Sequence, residues 1–369
     1  MRSLHVRRLG LVEYEDGLAA QRLLVAARTA GLVPDTLLLL EHPRAITLGR
    51  GAKQQNLLLS KEQLAAEGFE LHETDRGGDV TYHGPGQLVG YPILDLKPDR
   101  KDVRKYVGSV EELMIRLASD WGVAAERVAG RTGVWVPGAG PGKLGAIGVH
   151  IARWVTSHGF AFNVTTRLAD FAAIVPCGIA DASVTSLQAL LGRAPAMPEV
   201  EERAIARAAE VWDSEASEVA PELRTISVAV LREGRGGADE VLLLHRIPSR
   251  GGFWQILTGR RELEESPLQT AARELQEETG FSPALEDLRD LDYAHSFPID
   301  PLPAFARPPR APLFAHETAF ALRVPYGRDP ELDPSEHDGW LWSSVPEALQ
   351  LLPFAGLRRA VTLATALPR

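Results

Sequence analysis

Two groups of residues in this 369-residue chain have types and spacings suited to chemistry: its single cysteine, Cys177, and a run of acids around position 275. With one cysteine no internal disulfide forms, so Cys177 is a buried apolar filler, a chance thiol or a reactive group. Pro176 stiffens the chain before the sulfur and Gly178 clears space after it, which suits a side chain presented to a ligand. A reactive thiolate needs a positive neighbour. Lys143 closes the Gly-rich run 137–145, and the fold can bring it to the sulfur. That run is not a nucleotide-binding phosphate loop. Counting back from Gly142 meets Pro137 where the template needs glycine, and Lys143 is followed by Leu144.

In the acidic run, Glu274, Glu277 and Glu278 fall at i, i+3 and i+4 of one helix, so three carboxylates share a face. Like charges repel there, and a divalent cation makes the cluster favourable. Oxygen ligands alone suit magnesium or manganese. A solvated acidic face is the plain alternative.

A third stretch, 76–92, sets several glycines and two prolines around Arg76, His83 and Gln87. Glycines let a backbone approach a ligand closely, although a turn-rich structural loop has the same composition.

These residues need elements to hold them. The pattern predicts a strand over 4–12, a helix over 14–29 ended by Gly31 and Pro34, and a buried strand over 36–40. Two strand-like pieces, 146–151 and 153–164, alternate small and bulky residues, as the wall of a narrow apolar slot or a sheet core would. A basic stretch at Arg100, Lys101, Arg104 and Lys105 opens a helix; it is a solvated face or a landing site for an acidic partner. A helix from about Glu199 ends near Trp212, and the small, acidic segment 214–222 reads as a linker. Strands over 224–232 and 240–246, joined by the glycines of 234–237, open a second domain.

Length supports two domains. The 45% apolar and 24% charged content is that of an ordinary globular protein, and the formal charge of −9 argues against nonspecific nucleic-acid binding. With no apolar run of membrane-spanning length and no signal-peptide pattern, the chain reads as cytoplasmic, with no membrane and no nucleic-acid partner.

Residues 76–91, 143–164, and Pro176-Cys177-Gly178-Ile179 followed by Val184-Thr185-Ser186-Leu187 resemble the signature segments of the lipoyl(octanoyl) transferases. The resemblance implies a fold like biotin and lipoate protein ligases, a mixed α/β sheet domain over residues 1–213. It also implies transfer of an octanoyl group from octanoyl-acyl carrier protein to a lysine of lipoyl domains, in 2-oxoacid dehydrogenases and the glycine cleavage H protein, with no cofactor. By motif, Cys177 is the nucleophile that carries the acyl thioester, and Lys143 lowers its pKa. Arg76, Gly77, Gly78, Asp79, Val80, Thr81, Tyr82 and His83 would line the acyl site with Ala146-Ile147-Gly148 and Gly159-Phe160-Ala161. An ATP-dependent ligase on the related fold is the competing activity, and the cysteine favours transfer. The basic residues Arg44, Arg50 and Lys53 are candidates for docking the carrier protein.

Residues 223–369 contain a full match to the Nudix box: Gly259, Glu265, Arg273, Glu274, Leu275, Glu277, Glu278, Gly280 and Phe281 fill every place of the pattern. Similarity to the Nudix pyrophosphohydrolases implies an α/β/α sandwich, a metal-bound small-molecule polyphosphate substrate and attack by water, with Glu274, Glu277 and Glu278 holding Mg2+ or Mn2+. Position 264 is Glu where many members have Gly, a departure that alters the turn. The segments 253–259 and 336–342 resemble, more loosely, dihydroneopterin triphosphate diphosphatases; their aromatics form a slot for a flat base or belong to the core. A non-catalytic metal- or nucleotide-binding module is the alternative for this domain. The Pro-rich piece 297–312 is expected to be a loop.

Overall fold

The computed structural model of the chain describes residues 1–138, 142–175, 183–299 and 313–368. Cys177 and most of the Pro-rich piece 297–312 lie outside the described residues. The chain divides into two units, residues 1–220 and residues 221–299 with 313–368. Both are mixed α/β, as expected.

In the first unit the order is β1 (Arg2–Leu11), α1 (Tyr14–Thr29), β2 (Asp35–Glu41), β3 (Ala45–Leu48), α2 (Lys61–Ala66), β4 (Glu70–Glu73), β5 (Val80–His83), β6 (Gln87–Ile93), α3 (Val103–Ser119), β7 (Glu126–Val128), β8 (Arg131–Val136), β9 (Gly142–Ala152), β10 (Val155–Asn163), β11 (Ser183–Val184), α4 (Leu187–Leu191), α5 (Met197–Val211) and β12 (Ser214–Glu218). The main sheet runs β1-β2-β6-β10-β9-β8-β7, and β4-β3-β5 form a small second sheet. β1 is parallel to β2, and β6, β10, β9, β8 and β7 follow antiparallel.

Helix α3 explains the core. Asp102 caps it by accepting the Lys105 N–H at 3.0 Å, and Val110, Leu113, Met114 and Leu117 recur at helical spacing on one buried face. That face packs with Val200, Ala204 and Ala208 of α5 over Val134, Leu144, Phe160 and Phe162 of the sheet. Each large apolar side chain buried there contributes about 1.5–3 kcal/mol.

Residues 214–218, read from composition as linker, form β12, which pairs in parallel with β1 from Arg2↔Ser214 to Val6↔Glu218. Composition hid it because its side chains are polar or small and mostly exposed, and the backbone ladder to β1 gives no signal in side-chain pattern.

The second unit contains β13 (Leu223–Glu233), β14 (Asp239–Arg246), β15 (Trp254–Gln255), β16 (Leu257–Arg260), α6 (Pro267–Thr279), β17 (Arg289–Pro298), β18 (Phe314–Arg323), β19 (His337–Ser344), α7 (Val345–Leu351) and α8 (Ala355–Ala366). β13 and β14 are the expected antiparallel hairpin, and β13 runs parallel to β18. Ile226, Val228 and Val230 of β13 meet Ala271 and Leu275 of α6 in one cluster. The alternate residues Ser227 and Ala229 face the other side of the sheet, as the two-residue pleat requires. Among the described residues, no helix is long and apolar enough to cross a membrane.

Candidate functional site

In the first unit, β9 and β10 form a floor of small residues, with Ala146 opposite Ala161 and Gly148 opposite Gly159. The chain from residue 75 into β5 passes over this floor and encloses a cavity of about 300 Å³. Arg76, Gly78, Asp79, Val80, Thr81 and His83 line it from one side; Ala146, Ile147, Gly148, Gly159, Phe160 and Ala161 line it from the other.

Gly77 and Tyr82, expected among the lining residues, do other work. The Gly77 N–H donates to the Val149 carbonyl at 2.9 Å, and the Tyr82 hydroxyl donates to Asp170 at 2.8 Å with its ring against Phe69 and Phe171. The same Asp170 binds Arg44 at 2.9 Å, whose guanidinium also covers the Phe69 ring, whereas Arg50 and Lys53 are exposed.

Arg76 is buried; its Nη2 donates to the Thr47 carbonyl at 2.6 Å and its Nε to the Thr47 hydroxyl at 3.1 Å. His83 is also buried, and desolvation holds its imidazole well below the ordinary histidine range, hence neutral. Gln87 donates its amide to Asn163 at 3.0 Å and presents its oxygen to His83 Nδ1 at 2.8 Å. Nδ1 therefore carries the proton and Nε2 is the bare nitrogen.

Tyr14, Tyr91 and His158 also line the cavity, and sequence reasoning missed them. Tyr14 opens a helix and Tyr91 sits in a strand; neither position shows from sequence which loop crosses above it. For His158 a signal existed, since it adjoins Gly159.

Lys143 stands on β9, buried to 5% exposure. Its Nζ lies 5.1 Å from the Trp135 ring centre, a cation–π geometry. It borders a pocket of about 10 Å³ that shares Thr81, Ala146 and Ala161 with the larger cavity. Its carbonyl accepts the Thr185 N–H at 3.0 Å, so the segment following residue 182 returns to this strand. The Lys143 side chain is thus sheltered from water between the Trp135 ring and this small pocket.

The second site is built on α6. Ser266 and Gln269 form a reciprocal capping box at its start, and Gly280, at φ 69°, ends it. Arg273 is the hub: Nε donates to Glu265 at 2.8 Å, Nη1 to Glu274 at 3.0 Å and to Glu277 at 2.9 Å, and Nη2 to the Arg260 carbonyl at 3.0 Å. Beside that guanidinium the Glu265 carboxyl falls to about 2. A Cβ on Gly259 would lie 2.1 Å from Glu274 Cγ, so only glycine lets β16 pass this carboxylate.

The expected metal trio is not drawn together. Among the described residues, no group of three His, Cys, Asp or Glu side chains stands in metal-holding arrangement. Arg273 supplies the positive charge that the sequence argument assigned to a cation, and it turns Glu274 and Glu277 toward itself. Glu277 is largely exposed, whereas Glu278 is buried. Burial, with Glu274 and Glu336 close by, pushes the Glu278 carboxyl up to about 8. Its Oε2 has no hydrogen-bond partner. An orphaned buried carboxyl oxygen beside the Glu274 and Glu336 carboxyls fits a hard divalent cation.

Outside the box, Glu336 pairs with Arg250 at 2.9 Å and with Arg246 at 3.5 Å, and His337 Nδ1 lies 3.8 Å from Glu278. The aromatics expected to form one slot have separate partners: Trp254 packs on His245, and Trp342 lies under Arg232. Glu264, where many box sequences have glycine, adopts φ 76°, the left-handed conformation that glycine takes without strain.

Comparison with known proteins matches residues 13–209 to the lipoyl protein ligase A/B catalytic domain and residues 222–364 to the NUDIX domain. An octanoyltransferase of Myxococcus xanthus is 52% identical over 369 residues, spanning 99% of this chain and 100% of that protein. One of Acidobacterium capsulatum is 50% identical over 244 residues, 61% of this chain and 98% of the relative. Among solved structures, the dihydroneopterin triphosphate pyrophosphohydrolase of E. coli shares 28% identity at a TM-score of 0.32, over 37% of this chain and 91% of its own.

Proposed function

From the premise that the chain belongs to the octanoyltransferases of the lipoyl protein ligase A/B catalytic family and carries a NUDIX domain, we propose that it moves an octanoyl group through Cys177. The donor is octanoyl-acyl carrier protein. The acceptor is a lysine of lipoyl domains in 2-oxoacid dehydrogenases or of the glycine cleavage H protein. The observation that supports this reading is the buried Lys143, on a small pocket that shares Thr81, Ala146 and Ala161 with the cavity between β9, β10 and the 75–83 segment.

The Cys177 thiolate attacks the donor thioester carbonyl, the carrier's thiol leaves, and the acyl group rests on sulfur. The substrate amine then attacks that thioester, forming the amide and releasing the thiolate. Lys143 favours the thiolate by charge in the first step. In the second step, having passed its proton to the leaving thiol, it accepts one from the incoming amine. Small residues at 146, 148, 159 and 161 leave room for an unbranched chain.

Intact-mass analysis after incubation with octanoyl carrier protein tests this. Wild type gains one octanoyl group and Cys177→Ser gains none; an adduct on the serine variant, or none on wild type, overturns it.

For residues 223–369 we read metal-dependent hydrolysis of a nucleoside or pterin polyphosphate. Glu274, Glu277 and Glu278 would hold Mg2+ or Mn2+, which when bound neutralises phosphate charge and activates water. To hold it, Glu278 would have to be ionised, and Glu274 and Glu277 would have to leave their pairing with Arg273. That clamp also favours the second reading, a binding module without turnover. Phosphate release from a panel of nucleoside and pterin triphosphates with magnesium, wild type against Glu277→Gln, separates the two.

A further inference from the structure

At one point the floor and the overlying loop of the first unit's cavity close on each other. Moving along β9 away from Lys143, the floor passes from Ala146↔Ala161, which also borders the Lys143 pocket, to Gly148↔Gly159. At Gly148 a Cβ would lie 2.9 Å from the Gly77 carbonyl oxygen and 3.0 Å from Arg76 Cδ. Sheet and overlying loop touch there with no space for a methyl group, and the Gly77 N–H is tied to the Val149 carbonyl. A chain laid along β9 from the Lys143 end would run toward this seam.

A side-chain latch stands beside the seam. Asp75, the residue that leads into the loop, has Oδ1 2.7 Å from His158 Nε2 and Oδ2 3.7 Å from His150 Nε2. His158 is buried and holds a left-handed backbone, φ 53°, inside β10. That conformation is strained for a non-glycine residue. It persists because Gln21, buried on α1, accepts the His158 N–H at 2.6 Å. In this conformation its ring reaches Asp75 and the cavity wall. Strain held in place by a dedicated hydrogen bond, beside a ligand cavity, marks a functional constraint.

We propose that the Asp75–His158 pair sets the longest acyl chain the cavity accepts, by pinning the 75–79 loop against Gly148. This rests on the reading of that cavity as the acyl site. His158 is a positioning residue and takes no part in the transfer. Without a stop, the four extra methylenes of dodecanoate would bind in any apolar slot and raise affinity, by roughly fourfold each. With a stop they have nowhere to go.

Titration calorimetry of the full chain with octanoate and with dodecanoate tests the inference. Wild type should bind octanoate at least about tenfold more tightly than dodecanoate. In Asp75→Ala, at a half-exposed side chain, and in His158→Asn, whose residue type tolerates left-handed backbone, that ratio should fall to about threefold or less, mainly through tighter dodecanoate binding. His158→Gln, with an amide that reaches Asp75, should restore most of the preference. A merely structural latch would lower both affinities and the melting temperature together and leave the ratio alone. Absence of preference in wild type, or an unchanged ratio in Asp75→Ala and His158→Asn, overturns the proposal. Because free acids need no turnover, a chain that prefers octanoate yet never acylates Cys177 keeps this inference and sinks the transferase reading.

Discussion

The Nζ of Lys143 lies 5.1 Å from the centre of the Trp135 ring, which is wholly buried on β8. The ring's negative face receives the ammonium and gives a buried cation a fixed address, with an attraction of roughly 0.5–2 kcal/mol. Lys143→Met keeps the stem and deletes the charge, so thiol acylation should slow by at least about a hundredfold with little change in melting temperature. Trp135→Phe keeps a weaker face and should slow it about two- to fivefold. Single-turnover acylation followed by mass spectrometry reads both. Unchanged acylation in Lys143→Met removes the amine from the mechanism.

Glu264 holds φ 76° in the turn before α6. Glu264→Gly should relieve the steric cost and, after glycine's greater loss of backbone freedom, stabilise the second unit by about 0.5–1 kcal/mol. Thermal unfolding would show a rise of a few degrees in that unit's transition. A fall would mean that the glutamate side chain compensates for its backbone.

Glu278 gives a pH dependence of definite sign. Its folded carboxyl titrates at about 8 against an ordinary value of 4.5, so the folded chain retains a proton that the unfolded chain releases between those values. The contribution to stability is fully present below pH 4.5 and is lost as pH rises toward 8. Glu278→Gln is neutral at every pH. In chelator-treated samples its melting temperature should match wild type near pH 4 and exceed it increasingly up to pH 8. A constant gap would show that this carboxyl is not buried in its neutral form.

Much of both sites was legible before any coordinates. The 14–29 helix, the 36–40 strand, the 146–164 strand pair and every place of the acidic box lie where periodicity and motif put them, because those signals are local. What remained hidden depends on non-local geometry. Nothing near Asp75 in sequence announces His158, and nothing near Lys143 announces Trp135; each pair is made by strand register. The pairing of Glu274 and Glu277 with Arg273 was hidden for a related reason. Helical spacing puts three carboxylates on one side, but Arg273, one residue before the first of them, competes for two.

β12 bears on any attempt to make the two halves separately. A transferase fragment ended at Asp213 would discard the ribbon laid along Arg2–Val6 and strand those backbone amides and carbonyls in water. One carried through Ala220 would retain that ladder, together with the Val219 N–H bond to the Val6 carbonyl. The place to cut is therefore the few residues before β13, and a fragment trimmed by composition alone should express as an aggregating, half-paired sheet.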